Sequence, residues 1–310
     1  MSELQIDKSR RRIGRSELCS FPLAYGCWRF AGTDVKTARE KIEVALELGI
    51  NLFDNADVYG CDGGGSFGDA ETLFGQVLAD APGLRERMLI ATKGGIVLGV
   101  PYDSSSKYLR SAVEASLRRL QTETIDLYQI HRPDFLGHPE EIAEILSALR
   151  AEGKIKEVGV SNYTPSQFRA LQAHLSFPIA SHQPEFSCWR HEPLKDGLLD
   201  QCLEYQVTPL VWSPLAGGLI AASYETAQET DSSGRLVHLL KCLDAIADRQ
   251  EVSRTAVALA WLLVHPSGVI PIIGTQKVER MKESIAALGV KLSRIDWNNI
   301  LVAAQGYPLP

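Results

Sequence analysis

From residue 23 almost to the end of the chain, short apolar runs that fit buried strands alternate with longer segments of helical periodicity. The strand-like runs fall at residues 23–26, 52–54, 88–92, 125–130, 158–160, 179–181, 209–212 and 269–273. Eight such units is the number that closes a parallel barrel, usually in about 250 residues plus additions, and the chain has 310. The spacing predicts helices over 36–48 and 70–78, and a third with Leu109, Val113, Leu117 and Leu120 on one stripe. A fourth enters at Pro139 and stops at Gly153, and a fifth opens on the capping-box pattern Thr164 to Gln167. Further helices fit 197–205, then 236–249 and 254–263 after a longer loop, then 278–287. With no linker-like break, the expectation is one α/β domain over 1–310. It would be a (β/α)8 TIM barrel with an N-terminal β-hairpin cap and extra C-terminal helices, the last near 296–304.

The competing architecture is an open doubly wound sheet, and its support is Gly63-Gly64-Gly65-Ser66-Phe67-Gly68, which matches GxGxxG. These glycines lie well beyond the strand end. The next strand also ends in Thr92-Lys93, where a ribose-binding site wants an acid. A loop is the better reading.

The formal net charge of −6 argues against nucleic acid as the main partner, since phosphate binding wants a basic surface. The one basic cluster, Lys8 to Arg15, fits the solvated face of the hairpin. Six scattered cysteines without a CxxC pair read as reduced thiols in a cytoplasmic protein. His182, Cys188 and His191 have no fourth ligand nearby, so no metal is expected. The N-terminus lacks the apolar core of a signal peptide, and the longest apolar run, 256–264, is far short of the ~20 residues a membrane span needs. No membrane partner is expected.

In a barrel of this kind the active site lies at the C-terminal ends of the strands. Those positions hold Gly26-Cys27-Trp28, Asp54, Lys93, His131, Ser161-Asn162, Gln183, Trp212-Ser213 and Gly274-Thr275. Each alone has a bland reading: a solvated lysine, a hydrogen-bonded rim histidine, a strand cap. Together, eight polar or aromatic exits from eight strands point to a site. The densest is Asp54 to Gly60, where an apolar strand runs into carboxylates, an amide and the phenol of Tyr59.

The runs LFDNADVYG, ATKGG, YQIHRPD, GVSNY, WSPLAGG and IPIIGT occur in this order along the chain. Jointly they resemble the aldo-keto reductases, and the ending resembles a group of little-characterised bacterial oxidoreductases. The resemblance implies a catalytic tetrad of Asp54, Tyr59, Lys93 and His131, with Tyr59 as proton donor. Lys93 would be the cation that stabilises its phenolate, Asp54 the partner of Lys93, and His131 the group that binds the substrate oxygen. It implies a nicotinamide dinucleotide without a Rossmann fold. Ser161, Asn162 and Gln183 would hold the carboxamide, and Trp212, where many members have tyrosine, would stack on the ring. Ser213, Pro214, Leu215 and Gly217 would cover the pyrophosphate. Gly274, Thr275, Lys277, Arg280 and Ser284 would take the adenosine end. Gly26, Cys27, Trp28 and Asp54 would complete the cofactor's surroundings. The two cations favour NADPH, with NADH possible. Ser284 stands where asparagine is common, and Cys61 is a candidate redox thiol or an idle rim thiol.

The substrate implied is a small carbonyl compound, with Trp28, Tyr59 and His131 facing it and an open pocket suited to small aldehydes or a diketone. Specificity is expected from Trp28 and the segments 99–106, 216–233 and 305–310. Two alternatives stay open. One is a nucleotide-binding regulatory or sensor module of the same fold with little turnover, disfavoured by the lack of an N-terminal extension. The other is a Schiff-base aldolase acting through Lys93, which leaves Asp54, Tyr59 and Trp212 unexplained as a set. Oligomeric state is not readable from the sequence.

Overall fold

Eight short parallel strands pair edge to edge until the last meets the first, closing a barrel in the computed structural model. The structure describes residues 3–61 and 65–309. The chain begins with three short strands, β1 (Glu3–Leu4), β2 (Arg11–Arg12) and β3 (Cys19–Ser20). Four units follow: β4 (Ala24–Gly26) and α1 (Val35–Glu47), β5 (Leu52–Asp54) and α2 (Asp69–Asp80), β6 (Leu89–Gly94) and α3 (Ser106–Leu120), β7 (Ile125–Ile130) and α4 (Pro139–Ala151). Next come β8 (Ile155–Ser161) and α5 (Pro165–Gln172), β9 (Ser181–Gln183) and α6 (Leu198–Tyr205), and β10 (Thr208–Val211). Three helices, α7 (Tyr224–Thr230), α8 (Arg235–Gln250) and α9 (Arg254–Leu263), precede β11 (Ile270–Ile273). The chain closes with α10 (Val278–Ile285), β12 (Leu292–Ser293) and α11 (Arg294–Gln305).

The helices begin where the sequence offers a side chain that can accept from the free N–H groups of the first turn. Asp34, Ser105, Thr164, Ser253 and Ser293 each do so, and Thr164 and Ser293 form full capping boxes. Strand residues then alternate between the two faces of the barrel wall. Ala24, Leu52, Ala91, Leu127, Ala180, Leu210, Ile270 and Ile272 form a separate apolar cluster with Ile13 and Leu18 of the hairpin β2–β3. That cluster closes the N-terminal end of the barrel. One layer up the interior turns polar. Gly159 leaves room there for Gln129 and Ser181, since a Cβ would sit 2.1 Å from Ser181 Oγ and 2.9 Å from Gln129 Cγ. The outward-facing residues pack against the helices in the larger core.

Several expectations are corrected. The sixth strand is Ser181–Gln183, not 179–181: Ser181 and Gln183 pair with Gly159 and Ser161. Its polarity hid it, because it borders the polar layer. β8 begins at Ile155 and β6 runs on to Gly94, so Lys93 lies inside its strand. The loop 216–233 contains a 3-10 segment (Ala216–Ala221) and α7. The basic cluster is not simply solvated: the half-buried Arg11 donates to the carbonyls of Val269 and Leu263, while Arg12 pairs with Glu17 at 2.6 Å. Gly63 and Gly64 of the GxGxxG match lie outside the described residues. Among the described residues no helix is long and apolar enough to cross a membrane.

Candidate active site

Asp54 is the last residue of β5 and Lys93 the fifth of β6, and alternation points both into the barrel above its apolar floor. Lys93 is fully buried; its Nζ donates to Asp54 Oδ2 at 2.7 Å and to the Asn55 carbonyl at 2.8 Å. The other carboxylate oxygen, Asp54 Oδ1, accepts from Gln183 Nε2 at 2.9 Å and from Gln129 Nε2 at 3.3 Å. A buried ion pair needs this degree of satisfaction to be tolerated. Burial works against the Lys93 charge, and Asp54 and Tyr59 outweigh it, so the lysine titrates above its ordinary value.

Tyr59 leaves the strand on a turn in which its N–H donates to the Ala56 carbonyl at 3.1 Å. The Lys93 ammonium lies 4.8 Å from the centroid of its ring. The ring of His131 meets it edge-on, with centroids 5.9 Å apart and planes at 83°. Burial pushes the phenol up to about 12, with Lys93 pulling against that rise. His131 is 8% exposed, and burial, aided by Lys93 and Arg132, holds its imidazole well below the usual histidine range. At neutral pH the site therefore holds a phenol, an ammonium, and an uncharged imidazole around one small space.

Next to this group, at the exits of β8, β9 and β10, lies a chain of polar side chains. Ser161 Oγ donates to the Gln183 carbonyl at 2.8 Å, and Asn162 Nδ2 donates to Ser161 Oγ at 2.7 Å. Asn162 Oδ1 accepts from Trp212 Nε1 at 3.1 Å. Asn162 holds a left-handed backbone (φ 60°), as do Ser213 (φ 48°) and the pair Gly217 (φ 67°) and Gly218 (φ 108°). Pro214 is buried, Leu215 half-buried, and among the described residues nothing lies within 4 Å of a Cβ built on either glycine. The turn thus exposes backbone on an open side.

At the exit of β11, Gly274 is exposed and Thr275 half-buried, with Thr275 Oγ1 accepting from the Lys277 N–H at 3.2 Å. The N-terminus of α10 has no side-chain cap, and Lys277 and Arg280 are both exposed on it. Ser284 is only 6% exposed, and its hydroxyl donates back to the Arg280 carbonyl at 2.8 Å. Of the first strand's exit, Gly26 and Cys27 are buried and Trp28 is 46% exposed at the mouth. The Cys27 thiol is pushed well up by burial and by Asp54. Cys61 is half-buried.

The expected site residues therefore lie at the C-terminal ends of the strands, in the loops leaving them, or, for Arg280 and Ser284, in helix α10. Two residues that sequence reading passed over lie at this end of the barrel too. Gln129 sits two residues before His131 in β7, and that period-2 spacing was its signal. Arg132 is half-buried with its guanidinium carbon 5.6 Å from the Trp212 ring centroid, beside His131. The arrangement fits a nicotinamide dinucleotide. Ser161, Asn162 and Gln183 offer amide and hydroxyl partners to a carboxamide, Trp212 offers a flat apolar face, and an uncapped helix N-terminus with two exposed cations suits a phosphate.

The model of the aldo/keto reductase family matches residues 22–303. A 6-dehydroglucose reductase of Novosphingobium aromaticivorans is 46% identical over 312 residues, covering 100% of this chain and 100% of that protein. One of the same name from Agrobacterium fabrum is 38% identical over 297 residues, covering 92% and 94%. Among solved structures, a glycerol dehydrogenase from Gluconobacter oxydans aligns with a TM-score of 0.82 at 27% identity, covering 98% of each chain.

Proposed function

Because the chain belongs to the aldo/keto reductase family, we propose that it reduces aldehydes or ketones to alcohols with NADPH, Tyr59 giving the proton. The observation that carries this reading is the convergence of Tyr59, Lys93 and His131 on one space, with Asp54 behind the lysine. When bound, the cofactor supplies a hydride to the carbonyl carbon. Ser161, Asn162 and Gln183 would hold its carboxamide, Trp212 would support its ring, and the turn from Ser213 to Gly217 would cover its pyrophosphate. Gly274, Thr275, Lys277 and Arg280 would take the adenosine end, where two exposed cations favour a 2′-phosphate.

The chain's own residues account for the proton. With its phenol pushed up to about 12, Tyr59 stays protonated across the neutral range and can hand its proton to the substrate oxygen. Lys93 then stabilises the phenolate left behind, which costs little reorganisation because Asp54 already holds the ammonium in place. The neutral imidazole of His131 offers a hydrogen bond to the same oxygen. The two 6-dehydroglucose reductases add a substrate class, an aldehyde on a hydroxylated carbon chain. Trp28 and Arg132 at the mouth suit such a chain, one as a stacking face and the other as a forked donor.

The test is loss of nicotinamide absorbance with NADPH or NADH against aldehydes, ketones and sugar aldehydes, 6-dehydroglucose included. Turnover should be faster with NADPH; no turnover of any carbonyl with either cofactor would reject the reading. Tyr59→Phe should lower kcat by at least about 10²-fold while cofactor affinity changes little. Normal turnover in that variant would remove Tyr59 from its role.

A further inference from the structure

The reductase reading leaves one buried acid beside the site without a task. Asp57 is 1% exposed and stands two residues before Tyr59, yet it points away from the tetrad. Inward and outward positions alternate along β6, so with Lys93 facing the barrel interior, Gly94 faces out toward α3. Asp57 sits on that outer side. Its N–H donates to the Lys93 carbonyl at 2.9 Å, and its Oδ2 accepts from the Tyr108 hydroxyl of α3 at 3.1 Å. The close approach depends on Gly94. A Cβ there would lie 3.0 Å from Asp57 Oδ2 and 2.2 Å from the Tyr128 hydroxyl.

We propose that Asp57 is a positioning residue for the proton donor, its carboxyl group fastening the turn that carries Tyr59 to helix α3 through Tyr108. Two links meet at this residue and a third closes beside it. Its backbone joins the turn to the strand carrying Lys93, its side chain joins the turn to α3, and the Tyr59 N–H closes the turn on Ala56 one residue before it. Asn55, whose N–H donates to the Ala91 carbonyl at 2.8 Å, continues the same edge of β6. Within the site Tyr59 meets His131 edge-on and interacts with the Lys93 ammonium through both ring and hydroxyl, and the turn sets how it reaches the two. The phenol's position relative to the ammonium therefore depends on where the turn is held. Neither Asp57 nor Tyr108 touches the tetrad's reacting atoms, so both act through Tyr59.

The inference rests on the reductase reading for its kinetic readout and carries a second readout that does not. Asp57→Ala should lower kcat about 10–100-fold, the scale of an ångström's misplacement, with the KM for the carbonyl and the affinity for NADPH within about twofold. Asp57→Asn keeps an acceptor for Tyr108 and should restore most of kcat. Tyr108→Phe should reproduce the Ala phenotype, and the double variant should be no worse than either single one. The independent readout is amide hydrogen exchange over residues 55–60, which should speed up about tenfold or more in Asp57→Ala and Tyr108→Phe and stay near wild type in Asp57→Asn. A kcat within twofold of wild type in Asp57→Ala, or a loss confined to KM, or unchanged exchange in both variants, would overturn the proposal. If the wild-type protein turns over no carbonyl, the reductase reading fails alone and the exchange result still decides for or against Asp57.

Discussion

At the scale of single residues, the Asp54–Lys93 pair is the most constrained feature of the site. Both carboxylate oxygens and the ammonium are hydrogen-bonded and buried. Removing one partner strands the other, so Lys93→Met should destabilise the protein by about 3–5 kcal/mol. Asp54→Asn combined with Lys93→Met should recover a large part of that loss, because no uncompensated charge then remains. Urea unfolding of the two variants measures both; a double variant less stable than Lys93→Met alone would show that the charge is not the cost. Asp54, Lys93 and His131 stood out in the sequence as polar residues at or beside the ends of apolar strand runs, and the family resemblance joined Tyr59 to them. Gln129 was not, since it lies inside its strand, where a polar residue reads as noise until alternation places it beside Asp54. Asp57 was legible as polar but not in direction, because nothing local says that the loop turns its side chain outward to α3.

Among the elements, helices were placed well because their caps are local chemistry, whereas strands of three or four residues are defined by partners distant in sequence. β9 illustrates this: Ser181-His182-Gln183 has no apolar pattern, since two of its residues serve the polar interior and His182 stacks on Phe168 at 5.8 Å. The hairpin shows the opposite limit. Its basic residues suggested a solvated surface, but the element works as a plug. Ile13 is fully buried against the barrel floor, and Gly14 passes so close to Ala180 that a Cβ would lie 2.6 Å from its carbonyl oxygen. Ile13→Ala should cost about 2–5 kcal/mol in stability. The plug closes the end of the barrel opposite the tetrad, so kcat at a temperature well below the melt should stay within about twofold. Thermal unfolding and steady-state rates on the same preparation check both halves. A kcat loss that tracks the stability loss would mean the two ends are mechanically coupled.

Over the whole molecule, polarity is graded along the barrel axis from an apolar floor to a charged mouth, and the buried titratable groups make stability depend on pH in opposing ways. Burial depresses His182 to about 4, so between pH 6.5 and 4 the unfolded chain takes up a proton that the native one refuses. Stability therefore rises with pH across that window and is lost on acidification, at about 1.4 kcal/mol per pH unit for one proton. His131, held low by burial and Lys93, acts with the same sign. Asp57 is raised to about 7 by burial and Glu71, so from about pH 4 to 7 the native state holds the extra proton and stability falls as pH rises. His191 and His265, also lowered by burial, act with these histidines, and Glu157 and Glu185, also raised by burial, act with Asp57. Replacing one group of each kind should then move the acid response in opposite directions. His182→Gln should lose less stability than wild type between pH 6.5 and 4.5, and Asp57→Asn should lose more. Urea unfolding free energies at the two pH values measure each difference within one variant, so a uniform packing cost cancels. If both substitutions shift the response the same way, the buried groups do not hold the protonation states that their surroundings impose.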